Sequence, residues 1–390
     1  MANSNLSYRL LTPGPVPLAP EILAALAQPV RHHRTPEFEA VLKRVWNGLK
    51  WFFQTVQPVL TLTSTGSGAM EAALVNTLSL NDEILCLITG KFGERWADMG
   101  ERFGLKVHRL EVPWGQAVAP ADLLQTLKKY PQTKAVLIQA VETSTATQNP
   151  IREVAALVRQ HSQALLMVDA ITGIGAMDLP MDKWGLDVVV AGSQKAFMLP
   201  TGLSFIALSE RAWTAQKTAK LPRFYFDLGL ELAANRKGQT YFSSANSHLM
   251  ALDVVLQRFQ KLGLETLRAR CELLAKATRE GGEVLGLEVF SSAPSPSVTA
   301  LKIPTGRDGA QLRNHLESQY KVTVMGGQDS LSGKILRIGH LGYITDEDLL
   351  VGMKFLAQSM KDLGFTLTDG QIEQSQKIIG EILARGPGVG

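Results

Sequence analysis

Cysteine is almost absent: Cys86 and Cys271 are the only two in 390 residues. Two thiols exclude a disulfide framework and a cysteine-rich zinc site, so a reducing compartment, the cytosol by default, is expected. Charge of one sign is just as scarce. The formal net charge is +4, with no Lys/Arg run of the kind that binds nucleic acid or anionic lipid. Long apolar runs are lacking too, none approaching the roughly 18 residues that a membrane span needs. Met1–Asn5 has neither the basic region nor the apolar stretch of a signal peptide, and Gly388-Val389-Gly390 is not an address signal. Glycine and proline together stay near the average share, which excludes collagen-like and disordered chains. What is there is 45% hydrophobic residues in a chain long enough for two or three domains. The expected partners are small molecules, with no nucleic acid and no membrane.

From about residue 58 to 210, apolar runs of strand length alternate with helical patterns, as in a parallel sheet covered by helices. The candidate strands are Val59–Leu62, Ile84–Ile88, Lys106–Glu111, Ala135–Val141, Ala164–Val168, Val188–Ala191 and Leu203–Ala207. The third alternates; most of the others are nearly continuously apolar, as strands buried on both faces should be. Helices are expected at Ala69–Thr77, Glu94–Phe103, Pro120–Lys129 and Ile151–Arg159. Only the last strand follows its predecessor with no room for a crossover helix, so it should run antiparallel. Beyond Tyr241 come long helical segments, roughly Ser247–Gly263 and Leu264–Glu280, the second ending at Gly281-Gly282. Residues 283 to 360 read as α+β, with strands at Ser297–Lys302 and Ile335–Ile338 and helices near Asp308–Gln319 and Asp346–Leu363. Leu11–Pro20 carries Pro13, Pro15, Pro17 and Pro20 and should be an extended arm of the kind that often packs on a partner subunit. The expected division is an arm at 1–22, a large domain at 23–263 and a small C-terminal domain at 264–390.

Chemistry-bearing residues gather just past the carboxyl ends of these strands, where open α/β sheets bind ligands. Lys195 follows Val188–Ala191 and precedes Ala196–Met198. Lysines are mostly exposed, but apolar neighbours would lower the pKa of this amine and free it as a nucleophile for a Schiff base. Asp169 ends another apolar strand, either as a turn cap or as a functional acid. One acidic and one basic strand end match the needs of pyridoxal phosphate, a lysine for its aldehyde and an acid beside its pyridine nitrogen. Thr63–Glu71 supplies a hydroxyl-rich, glycine-rich turn before a helix, which is either a phosphate cradle or a tight turn with an N-cap. It is neither a Walker loop nor a dinucleotide fingerprint. Phe92 in Gly90–Gly93 could stack on a cofactor ring or fill the core. Glu142–Thr145 offers hydroxyls, and Arg337 offers a guanidinium for a carboxylate or for a surface ion pair.

Together these residues resemble the class V aminotransferases of fold type I, in particular the alanine–glyoxylate and serine–glyoxylate group. The likeness runs from Leu11–Pro15 through Arg31–Phe38, Thr65–Glu71, Asp169 and Ser193–Lys195 to Arg337–Gly342. It implies a mostly parallel seven-stranded sheet with helices on both faces and a smaller C-terminal α+β domain. It also implies pyridoxal 5'-phosphate as cofactor and a homodimer with shared active sites. Carried over by position, Lys195 resembles the lysine of the internal aldimine and Asp169 the pyridine-nitrogen partner. Phe92 falls where relatives stack an aromatic ring, and Thr65, Gly66 and Ser67 match the phosphate loop. Thr145 matches a polar contact to the ring, and Gln194 a phosphate contact. Tyr241 and Ser244 fall where the family reaches the phosphate across the dimer, while Arg337 and Gly14 match substrate positions. Ser67 stands where some alanine–glyoxylate enzymes have His, Ala146 where many members have Gly, and Ser244 where many have Thr.

The resemblance implies transfer of the amino group of alanine or serine to glyoxylate, giving glycine and pyruvate or hydroxypyruvate. A cysteine desulfurase on the same fold would need a nucleophilic cysteine on a mobile loop, and Cys86 and Cys271 fall in a predicted strand and a predicted helix. The other alternative is a non-catalytic subunit, since some relatives carry the label of a soluble hydrogenase subunit.

Overall fold

The structure is a computed structural model that describes residues 6–386. The terminal segments read for signals, 1–5 and 388–390, lie outside the described residues.

Alternation at period two places the two faces of each strand in different cores. Leu85, Leu87, Val136, Ile138, Leu166, Val168, Val189 and Phe205 point into one apolar cluster. Ile84, Cys86, Ile88, Leu137, Met167, Val190 and Ile206 point into the other. Strands buried on both faces require helices on both faces, and the expected sheet forms. Its seven strands lie in the order Val59–Leu62, Ser204–Leu208, Val188–Gly192, Leu165–Asp169, Ala135–Gln139, Glu83–Ile88 and Lys106–Glu111. Ser204–Leu208 runs antiparallel to both neighbours, as its short connection demands, and the other pairings are parallel. The edge strand Lys106–Glu111 exposes Lys106, Arg109 and Glu111, charges that discourage pairing with another chain.

A third apolar core lies under a three-stranded antiparallel sheet, Val298–Lys302, Ile335–Gly339 and Met325–Gly326. The helix expected to stop at Gly281-Gly282 runs on, over Leu264–Val284. A Cβ at Gly281 would stand 2.5 Å from Ile379 Cδ1, and one at Gly282 would stand 3.0 Å from Leu301 Cδ1. Here glycine serves close approach by the helix Asp369–Leu383 and by the sheet, not chain reversal. Six helices absent from the sequence reading are Pro20–Leu26, Pro36–Phe53, Met181–Trp184, Glu210–Gln216, Leu228–Asn235 and Asp369–Leu383. The second starts with Thr35, whose hydroxyl accepts from Phe38 N, and with Pro36 in its first turn.

The proline-rich segment is extended but packs on its own chain. Arg9–Leu10 pairs in parallel with Val322–Thr323 of the C-terminal part. Leu11 N donates to Thr323 O, and Gly339 N donates to Leu11 O, each at 2.9 Å. The strap thus crosses from this third core to the carboxyl edge of the large sheet, and ends at helix Pro20–Leu26.

Candidate active site

Parallel strands deliver their carboxyl ends to one edge, and the side chains singled out from sequence meet there. Lys195 follows Val188–Gly192, and Asp169 closes the neighbouring strand Leu165–Asp169. Both side chains are buried. Lys195 Nζ donates to Pro13 O at 2.7 Å, so the strap lies directly on the lysine. A Cβ at Gly14, whose φ is +140°, would collide with the Lys195 amine. Burial, with Arg337 nearby, pushes this amine down to about 8, opposed by the Asp169 carboxylate. Burial pushes Asp169 up to about 7, against a hydrogen bond from Ile171 N to Oδ1 at 2.8 Å. Its other oxygen makes no hydrogen bond among the described residues. Desolvation therefore brings both groups toward neutrality, the condition in which a proton moves between them and a ligand at little cost.

Arg337 comes from the second sheet and reaches over the same edge. It is buried, donating from Nε to Gly326 O and from Nη1 to Thr143 O, both at 2.9 Å. Burial pushes it down to about 10, resisted by Glu142. Neither Lys195 nor Arg337 has a carboxylate within ion-pair distance among the described residues. That leaves a cationic pocket with one guanidinium nitrogen free, suited to a ligand carboxylate.

The turn after Val59–Leu62 opens the helix Gly66–Thr77. Thr65 occupies the cap position without capping through its side chain, which leaves its hydroxyl and the first helical N–H groups available to an anion. A Cβ at Gly66 would stand 2.5 Å from Ile171 Cδ1, so a larger residue in the turn would make that side chain shift. Gln194 Oε1 is buried without a partner, and a half-turn of the amide would present Nε2 there. Phe92 is half-buried at the start of helix Lys91–Arg102.

Thr145 lies at the same edge, fully buried, with its hydroxyl 3.0 Å from Thr147 Oγ1. Tyr241 and Ser244 bond instead within their own segment: Tyr241 N donates to Glu231 Oε2, and Ser244 Oγ donates to Asn246 Oδ1. Nothing among the described residues ties them to Lys195 or Asp169 of the same chain.

Two site residues escaped the sequence reading as individuals. Glu142 was noted only for the hydroxyls beside it. Its buried carboxylate accepts from Phe92 N at 3.1 Å, Gly93 N at 3.0 Å and Ser144 Oγ at 2.5 Å, fixing the start of the Phe92 helix. Burial raises its pKa against these bonds. Arg95 stands one helical turn beyond Phe92, and that spacing was the available signal.

A buried lysine and acid at adjacent strand ends, a phosphate-type turn and a carboxylate-type arginine define a pyridoxal-phosphate enzyme of fold type I. The residues present fit that cofactor: the uncapped helix start and the unpartnered Gln194 amide offer donors for a phosphate, and the open Asp169 oxygen offers an acceptor for a protonated ring nitrogen. Residues 23–349 match the family model Aminotransferase class-V. The chain belongs to the class V aminotransferases.

Similar proteins carry several names. A soluble hydrogenase 42 kDa subunit of Anabaena cylindrica is 41% identical over 91% of this chain and 94% of that protein. The L-aspartate–glyoxylate aminotransferase of Paracoccus denitrificans is 36% identical over 93% of each chain. The serine–glyoxylate aminotransferase of Arabidopsis thaliana is 34% identical over 93% of this chain and 92% of that one. Among solved structures, the ureidoglycine–glyoxylate aminotransferase of Bacillus subtilis superposes with a TM-score of 0.91 at 29% identity, covering 96% of this chain and 98% of that one.

Proposed function

We propose that this aminotransferase moves the amino group of alanine or serine to glyoxylate, giving glycine and pyruvate or hydroxypyruvate, as a cytoplasmic homodimer. The observation that carries the proposal is the convergence of buried Lys195, Asp169 and Arg337, whose two cations have no carboxylate at ion-pair distance among the described residues. Three of the similar aminotransferases share glyoxylate in their names while differing in amino donor, which supports the acceptor. The Arg31–Pro36 stretch resembles serine- and alanine-using members, which favours the donor.

Bound pyridoxal phosphate supplies an aldehyde that condenses with amines and a protonated ring that accepts electrons. Lys195 Nζ would hold that aldehyde at rest. Once displaced by a substrate amine, it would take the proton from substrate Cα and return it. An amine held near 8 is neutral in an appreciable fraction at neutral pH, which suits it to this exchange. Asp169 would keep the ring nitrogen protonated, and Phe92 would cover one ring face. Thr65, Gly66, Ser67 and Gln194 would bind the phosphate, with Thr145 a polar neighbour of the ring. Arg337 would grip the substrate carboxylate, with Gly14 leaving room beside the amine. Tyr241 and Ser244 would complete the phosphate site from a second copy of the chain. Exposed Phe224, Tyr225 and Tyr241 on the same segment give that copy an aromatic surface. The separate cores support a large part at 23–263 and a small part at 264–390, while the arm at 1–22 shares both, with Leu11 in one and Val16, Ala19 and Ile22 in the other.

A desulfurase is disfavoured because both thiols are buried in regular elements and burial pushes them up, that of Cys271 to about 12. A scaffold role gives no reason to desolvate a lysine, an acid and an arginine at one edge. The test is a panel of half-reactions: purified holoenzyme mixed with alanine, serine, aspartate or cysteine, followed by conversion of the cofactor spectrum. Conversion by alanine or serine, reversed by glyoxylate, is expected; conversion by neither refutes the donor assignment.

A further inference from the structure

Arg95 is a cation that the reaction described so far does not use. It is exposed on the helix Lys91–Arg102 and forms no ion pair with Asp or Glu among the described residues. Its contacts are specific nonetheless. The guanidinium carbon lies 4.8 Å from the centre of the Phe92 ring, and Nη1 donates to Ser67 Oγ at 2.9 Å. One side chain therefore links the aromatic plane to the helix start at Gly66.

The base of this side chain is fixed. Glu142 and Ser144 accept from the first N–H groups of its helix, Trp96 is fully buried beneath it, and a Cβ at Gly93 would come within 2.9 Å of Ile88 Cα. Ser67 has one hydroxyl proton and lone pairs to accept with. With Arg95 occupying a lone pair, the proton is left to donate, and no acceptor takes it among the described residues. It sits in the first turn of a helix, where N–H groups and the helix dipole favour an anion. The charge of Arg95 is also felt at Asp169 and Lys195, which places it within electrostatic reach of the reacting groups.

We propose that Arg95 is a positioning residue of the phosphate subsite. It occupies the Ser67 lone pair so that the hydroxyl proton faces the cofactor phosphate, and the face of the Phe92 ring steadies its guanidinium. The phosphate then meets a donor already oriented and a second positive charge close by. A merely structural arginine would affect the ring and the phosphate alike; this one acts on the anion.

The experiment measures binding of three probes to cofactor-free protein: pyridoxal phosphate, pyridoxal and inorganic phosphate. R95Q is expected to weaken pyridoxal phosphate and inorganic phosphate about tenfold, as for the loss of a charge-assisted hydrogen bond, and to leave pyridoxal within twofold. R95K keeps the charge and should recover part of the loss. S67A should weaken the phosphate-bearing probes alone, and should add less than threefold in the R95Q background because both changes remove the same donor. Equal weakening of pyridoxal and pyridoxal phosphate by R95Q overturns the proposal, as does full additivity of R95Q and S67A. Because Arg95 is exposed, R95Q should unfold at the wild-type temperature, and S67A supplies a second, independent variant.

Discussion

On the proposed function, replacing Arg337 should separate substrate binding from cofactor binding. Its guanidinium is held by two carbonyls, Gly326 O through Nε and Thr143 O through Nη1, so Nη2 is the group left for a substrate carboxylate. A charge-assisted bond from a desolvated guanidinium contributes about 3 kcal/mol at the upper end, so Arg337→Ala should raise the amino acid concentration for half-saturation about 100-fold. Two buried carbonyls also lose their donors, at a stability cost of about 1–3 kcal/mol. The change acts on the lysine as well. The Arg337 charge helps hold Lys195 near 8, so removing it should let the free amine rise toward its ordinary 10.5. Arg337→Lys should restore the charge but not the fork, recovering the amine titration more fully than the saturation. The assay is a rapid-mixing half-reaction with alanine or serine, run beside equilibrium dialysis of the cofactor. Normal saturation in Arg337→Ala, or loss of cofactor to the same degree as loss of substrate binding, would refute the reasoning.

Lys195→Ala should abolish the visible absorption of the holoenzyme, and an unchanged spectrum would sink the cofactor assignment. Linkage gives a second expectation for cofactor-free protein. Asp169 is raised from 3.8 to about 7, so the folded state binds the extra proton between those values and the contribution falls as pH rises through 7. Comparing unfolding free energies of wild type and Asp169→Asn should show the wild-type advantage declining from pH 4 to 7 and level above; a flat difference would contradict this. Lys195, lowered from 10.5 to about 8, has the opposite sign, its contribution present above 10.5 and lost as pH falls toward 8. Gly339→Ala would place a Cβ against the Thr12 carbonyl and 2.7 Å from Pro13 Cα. It should cost about 3 kcal/mol in chemical denaturation and loosen the carbonyl that holds Lys195, whereas a neutral result would mean that the strap yields freely.

The central sheet could be read because its strands are buried on both faces. A run such as Val188-Val189-Val190-Ala191 announces itself, and strand ends within such runs place Lys195 and Asp169 on one edge. Glycine misled where it served packing: Gly281-Gly282 looks like a helix stop until Ile379 and Leu301 are seen against it. The helix Pro36–Phe53 carries a start signal at Thr35-Pro36, but it lies ahead of the alternating strands and helices of residues 58–210 that announce the sheet. Least legible were contacts made by the backbone. No residue pattern reveals that Pro13 offers its carbonyl to a lysine 182 positions away, or that Arg337 is steadied by the carbonyl of Thr143.

The strap sets an order of events for a chain made from its amino end. Arg9–Leu10 finds its strand partner in Val322–Thr323, and Leu11 is held by Gly339, so the segment synthesised first waits for more than 300 further residues. Until then nothing holds the Pro13 carbonyl over Lys195, and the amine stays unroofed on the ribosome. A chain that lacks its last quarter lacks Val322–Thr323 and Gly339, which hold the strap, and Arg337, which reaches the site.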